Sequence, residues 1–154
     1  VSLEENIKAG KWTVVFFWPL DFTFVCPTEI LAMSNSYEGL REDGIEIFGV
    51  STDSKYSHLA WTKLGITEGG IGKINFPMLE DTNHAIAEQF GVLVEEEGIA
   101  LRGTFIISPE GTLESCAINN LNVGRSVEEL KRTIAAFQSG GLCPMNWNKG
   151  DKTL

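Results

Sequence analysis

Trp12–Trp18 (W-T-V-V-F-F-W) is an apolar run with no charge. Such a run, apolar at successive positions, predicts a strand buried on both faces. Beyond Pro19–Cys26 (P-L-D-F-T-F-V-C), the pattern changes period: Ile30, Met33, Tyr37 and Leu40 recur at helical spacing. That helix is expected to close near Asp43-Gly44. Ile45–Val50 (I-E-I-F-G-V) reads as a second buried strand, and Ser51-Thr52-Asp53-Ser54 as a turn and helix cap. Tyr56–Leu64 is predicted helical, ending at Gly65. Ahead of all this, Val1–Lys11 reads as a short polar lead with a turn at Gly10. Strand, helix, strand and helix in alternation predict an α/β protein with parallel pairing and helices on the sheet's faces.

The second half is more broken. Gly65–Asn75 is a glycine-rich loop, Phe76–Leu79 a short strand, and Asn83–Phe90 a short helix stopped by Gly91. Glu95-Glu96-Glu97-Gly98 is a solvated acidic turn. Gly103–Ser108 and Thr112–Asn119 are strands joined at Pro109-Glu110-Gly111, a hairpin turn. Ser126 and Glu129 form a capping box, and Val127, Leu130, Ile134 and Phe137 make one apolar stripe, read as core. No internal repeat or low-complexity segment interrupts the chain.

Composition narrows the function. A chain of 154 residues, 43% hydrophobic, fits one domain with a single sizeable core. Twelve basic against 21 acidic residues give a net charge of −9, which argues against a nucleic-acid binder. No stretch reaches the length of a membrane span and no signal peptide opens the chain, so a cytoplasmic location is expected. Cys26, Cys116 and Cys143 are too few and too scattered for a disulfide scaffold, and none forms Cys-x-x-Cys. A zinc site using His58 or His84 lacks ligand-like spacing. Both histidines read as helix-surface or capping residues, Cys116 as packing within its strand, and Trp61 and Trp147 as packing anchors.

The stretch Pro19–Cys26 carries the chemistry. Pro27 suits the first position of a helix, which would make Cys26 the cap residue. A helix start carries partial positive charge and unpaired N–H donors, and both favour a thiolate, the nucleophilic form of cysteine. Position alone leaves two readings open: a reactive sulfur, or an inert buried cysteine.

At these residues the chain resembles a peroxiredoxin of the typical two-cysteine branch. Pro19, Thr23 and Cys26 match the family pattern Pro-x-x-x-Thr/Ser-x-x-Cys, and F-T-F-V-C-P-T-E is very similar to that branch. The resemblance runs along almost the whole chain. It implies a thioredoxin-like fold, a central mixed sheet flanked by helices, with residues 1–154 as one domain and 140–154 as a C-terminal tail. It implies that Cys26 is the peroxidatic cysteine, that Thr23 orients the peroxide, and that Pro19 shields the sulfur. Arg102, in A-L-R-G-T-F-I-I, matches the catalytic arginine; without the resemblance it would read as a surface residue at a strand end. Glu29 and Arg125, the latter in N-V-G-R-S, match residues that orient these groups, and equally fit ordinary helix-terminus charges. Cys143, in G-L-C-P-M-N-W, resembles the resolving cysteine, which in this branch comes from the partner subunit.

The implied activity is reduction of hydrogen peroxide and organic hydroperoxides through a sulfenic acid and then an intersubunit disulfide. The implied partners are thioredoxin or a flavoprotein disulfide reductase as reductant, and a second copy in a homodimer or decamer. No cofactor, metal or nucleic acid is implied. Members of the branch also act as holdase chaperones or peroxide sensors, which is the alternative reading. Three features depart from the family. Relatives carry further strands ahead of the segment equivalent to Leu3–Trp18. The link between Phe137 and Cys143 (Q-S-G-G-L) is short. Gly69-Gly70-Ile71-Gly72 resembles the Gly-Gly-Leu-Gly of peroxide-sensitive members without their C-terminal Tyr-Phe pair, so intermediate resistance to sulfinic acid formation is expected.

Overall fold

The computed structural model describes residues 1–154. Trp12–Phe17 forms β1, and its alternating side chains serve both faces of the sheet. Val14 and Phe16 join one core cluster, Val15 and Phe17 the other. The uncharged run therefore marks a central strand. On one side β1 pairs in parallel with β2 (Ile45–Ser51), register Val14↔Ile47, and β2 pairs in parallel with β3 (Met78–Glu80). On the other side β1 runs antiparallel to β6 (Arg102–Ile107), which is hairpinned to β7 (Leu113–Asn119). The strand order is β3-β2-β1-β6-β7, a mixed sheet as expected.

Helix α2 (Cys26–Glu42) lays Ile30, Met33, Tyr37 and Leu40 on the face of Val14, Phe16 and Ile47. Gly44, at φ +77°, occupies the left-handed region that glycine enters without steric cost and turns the chain into β2. Helix α5 (Val127–Ser139) adds Leu130 and Ile134 to the same face. Helix α3 (Lys55–Lys63) contributes the buried Trp61, whose Nε1 donates to the Gly69 carbonyl at 3.1 Å. The opposite face is covered by α4 (Ala85–Gln89) through Ala87 and by α1 (Leu3–Lys8) through Leu3.

The differences from the sequence reading have local causes. The lead is not merely a polar turn: Ser2 Oγ accepts from Glu5 N–H, Glu4 and Glu5 lie at the positive end and Lys8 at the negative end, and α1 forms. The short strand sits at Met78–Glu80, because Phe76 turns into the core instead of pairing. The acidic turn links two strands that the sequence reading missed, β4 (Leu93–Val94) and β5 (Ile99–Ala100). Only half of the capping box forms: Ser126 Oγ accepts from Glu129 N–H, but the Glu129 carboxylate pairs with Arg132. Cys116 is not packed. It lies exposed on β7, an edge strand that contributes no residue to either core cluster. No helix is long and apolar enough to cross a membrane.

Candidate active site

The chain leaves β1 through Trp18 and Pro19, both buried, and reverses before α2. The reversal needs Phe22 at φ +57°. Thr23 is exposed, and its Oγ1 donates to the Leu20 carbonyl at 2.9 Å, which leaves the hydroxyl free to accept. Cys26 is the first residue of α2, one position later than the cap expected; Val25 caps the helix, its carbonyl accepting from Thr28 and Glu29 N–H. Pro27 follows in the first turn, where its missing N–H costs nothing. The sulfur is therefore inside the helix start, buried in the large core cluster.

Its one hydrogen bond comes from a side chain, not from the helix backbone. Arg102 Nη1 lies 3.3 Å from Cys26 Sγ and 2.6 Å from Glu29 Oε1. Arg102 stands at the start of β6, and its Nε donates to the Leu121 carbonyl at 2.8 Å. Glu29 is three residues after Cys26, on the same side of the first turn. Its other oxygen takes Arg125 Nε at 2.6 Å and Arg125 N–H at 2.9 Å. Arg125 is in turn fixed to the Gly103 carbonyl at 2.8 Å and lies over the Phe16 ring, 3.9 Å from its centroid. Burial pushes the Glu29 carboxyl up, but the hydrogen bonds and charge of Arg125, with the charge of Arg102, hold it below its ordinary range. Burial pulls Arg125 down, and Glu29 opposes that shift.

Cys26, Glu29, Arg102 and Arg125 are thus in direct contact, with Pro19 buried and Thr23 exposed in the turn just before them. Cys143 is elsewhere. It lies beyond α5, with Sγ 3.6 Å from the Ala136 carbonyl and 3.4 Å from Ser139 Oγ, and all three cysteines are free thiols. The tail around it is anchored: Trp147 is buried, its carbonyl accepts from Arg132 Nη1 at 3.0 Å, and its Nε1 donates to the Asp151 carbonyl at 3.1 Å. Trp61 and Trp147 are packing anchors as read. His58 is not a surface residue: it is buried against Asp21, with Nδ1 2.7 Å from Oδ2. The sequence reading missed this pair because its members lie 37 positions apart in unrelated elements.

A buried cysteine at a helix start, faced by a guanidinium that a carboxylate holds in place, is a site built for thiol nucleophilic chemistry. The comparisons give this class its family. Residues 1–116 match the AhpC/TSA family. YkuU of Bacillus subtilis, named as a peroxiredoxin, is 54% identical over 100% of this chain and 86% of its own length. A thioredoxin peroxidase of Echinococcus granulosus is 49% identical over 94% of this chain and 77% of its own. The crystal structure of a reduced 2-Cys peroxiredoxin of Plasmodium vivax superposes with a TM-score of 0.95 at 40% identity, covering 99% of this chain and 80% of that one. The chain belongs to the AhpC/TSA family, the peroxiredoxins; it is a thiol peroxidase with a thioredoxin-like fold.

Proposed function

We propose that Cys26 is the peroxidatic cysteine and that Arg102 is its electrostatic partner. The observation that carries this is the Arg102 guanidinium, bonded to the buried sulfur and locked by Glu29. Arg102 and Arg125 bring two positive charges and Glu29 one negative. A negative charge on sulfur completes the balance of the buried cluster. The thiolate attacks one peroxide oxygen, the S–O bond forms as the O–O bond breaks, and the leaving oxygen takes a proton to depart as water or an alcohol. Arg102, held rigidly on β6, meets the charge that develops on the separating oxygens without having to reorganise. Thr23 accepts from and orients the peroxide, and Pro19 keeps water off the sulfur. Glu29 and Arg125 hold Arg102 in place.

The sulfenic acid then condenses with the Cys143 thiol of a second copy, releasing water and forming a disulfide. Residues 140–154 are the tail that delivers Cys143 within a single-domain protein. Hydrogen peroxide and small organic hydroperoxides are the substrates, and a dithiol protein of the thioredoxin type or a flavoprotein disulfide reductase is the reductant. The working unit is a homodimer. The reading is supported by the contact geometry at Cys26 together with the names of the relatives above.

The test is one equivalent of hydrogen peroxide added to reduced protein, followed by non-reducing electrophoresis and titration of residual peroxide. Stoichiometric loss and a Cys26–Cys143 linked dimer are expected. Cys26→Ser should abolish both, and Cys143→Ser should keep the first turnover while losing the dimer band. A reduced wild-type protein no faster than free cysteine overturns the reading.

A further inference from the structure

Asp21 and His58 form a second buried pair of titratable groups, outside the cysteine cluster, with side chains 0% and 4% exposed. His58 Nε2 lies 3.0 Å from the Leu79 carbonyl, which only accepts, so Nε2 carries a proton. Asp21 Oδ2, 2.7 Å from Nδ1, also accepts from Ser57 Oγ at 2.9 Å, and Oδ1 accepts from Trp18 Nε1 at 2.9 Å. A carboxylate gathering that many donors is ionised. Assigned from its partners, His58 therefore donates at both nitrogens and is an imidazolium.

Chain connectivity ties this pair to the cysteine site. Asp21 lies two residues after Pro19 and two before Thr23. Its own N–H donates to Asp53 Oδ2 at 3.0 Å, and that oxygen also accepts from Ser51 Oγ at 2.5 Å. Backbone and side chain of Asp21 are thus fixed to the end of β2, to α3 and, through His58, to β3. The next residue, Phe22, is the strained one, at φ +57°. A bulky residue there costs about 1–2 kcal/mol and persists only where its surroundings dictate it. Its surroundings are the clamped Asp21 on one side and the Trp61 ring on the other, with centroids 5.7 Å apart.

We infer that Asp21 and His58 are positioning residues for the peroxidase reaction: their buried ion pair holds the turn Pro19–Thr23 in the shape that presents Pro19 and the Thr23 hydroxyl to a peroxide at Cys26. The inference rests on the roles given above to Cys26, Pro19 and Thr23. Neither member of the pair is bonded to the sulfur or to Arg102, so each acts through the turn.

The test compares two rates in the full chain. One is single-turnover oxidation of Cys26 by hydrogen peroxide, which needs the turn. The other is alkylation of Cys26 by iodoacetamide, resolved by peptide mass spectrometry, which needs only a nucleophilic, reachable sulfur. In His58→Gln and in Asp21→Asn, peroxide oxidation is expected to fall about 10- to 100-fold, the cost of displacing a reactant-orienting group by roughly 1 Å, while alkylation stays within about 3-fold. Ser57→Ala removes one bond to Asp21 and keeps the ion pair. It should shift the same ratio in the same direction by about 3-fold, and it decides the matter if the other variants do not fold. Both rates falling together, or neither changing, in variants with wild-type circular dichroism overturns the inference. A wild-type protein no faster with peroxide than free cysteine overturns instead the reading of the site on which it rests.

Discussion

Arg102 Nη1 serves two acceptors at once, the Cys26 sulfur at 3.3 Å and the Glu29 carboxylate at 2.6 Å. That double engagement makes its loss specific. Arg102→Ala should lower the rate of Cys26 oxidation by about 10²–10³-fold, the range for removing one preorganised donor from a developing charge. Arg102→Lys should recover only part of this, since an ammonium cannot reproduce the planar fork that also reaches Leu121. Stopped-flow measurement of the first turnover checks both. Glu29→Gln removes the negative charge shared by two guanidinium groups and turns one of its two acceptor oxygens into a donor, and should cost about 3–5 kcal/mol, read from the urea midpoint. Glu29 titrates below its ordinary range in the folded protein. Its contribution is therefore present above the unfolded value, about 4.5, and is lost as pH falls through the lower folded value. The resemblance singled out Glu29, which the helix sets three residues after Cys26 on one side of its first turn. Sequence spacing could not place Arg102 and Arg125 on the same carboxylate, because those contacts span 73 and 96 positions.

At the level of elements, the strand-to-helix unit β1–α2 was legible because each half declares its period: an uncharged run, then apolar residues at helical spacing. The turn between them was legible as a turn but not as a clamped one. His58 on α3 meets Asp21 and the Leu79 carbonyl of β3 only after folding, and a polar residue at a helix position gives no sign of that. Burial pulls the His58 ring down, but the hydrogen bond and charge of Asp21 more than offset this and hold it above its ordinary 6.5. Its contribution to stability is accordingly full below about 6.5 and is lost as pH rises through the higher folded value. Subtracting the His58→Gln unfolding free energy from that of the wild type across pH should expose this alkaline decline; a pH-independent difference would contradict it. Gly49 on β2 is a further element-level constraint, because a Cβ there would meet Phe76 at 2.6 Å and Trp18 at 2.9 Å. Gly49→Ala should destabilise by about 1–3 kcal/mol through overpacking, visible as a lower thermal midpoint.

Across the whole molecule the two cysteines assigned to the reaction sit at separate places: Cys26 in the core at the start of α2, Cys143 in a tail anchored beyond α5. The anchor is Trp147, buried and linked to Arg132. Trp147→Ala should release the tail, so limited proteolysis should cut within residues 140–154 faster than in the wild type. The first oxidation of Cys26 should be unchanged, because the hydrogen-bond network around its sulfur comes from α2, β6 and the loop after β7. Slowed first oxidation would show that the tail also supports the sulfur's surroundings. The edge strand β7 carries the reverse lesson. Cys116 reads as packing inside a strand, yet it is exposed, because β7 lies at the edge of the sheet and contributes no residue to either core cluster.

Local chemistry settled what the sequence alone could settle: the central strands β1, β2, β6 and β7 and the helices α2, α3 and α5, that proline and cysteine open a helix, and that a family pattern runs through Pro19, Thr23 and Cys26. These depend on neighbours a few residues apart, whose periods and caps act before the chain is compact. Only the tertiary structure decided that the Arg102 guanidinium named by the resemblance bonds the sulfur directly, that one carboxylate holds two arginines, and that His58 is buried against Asp21 instead of exposed. Each of those is a contact between distant segments in low dielectric, where partner and distance, not residue type, fix the charge state and the energy.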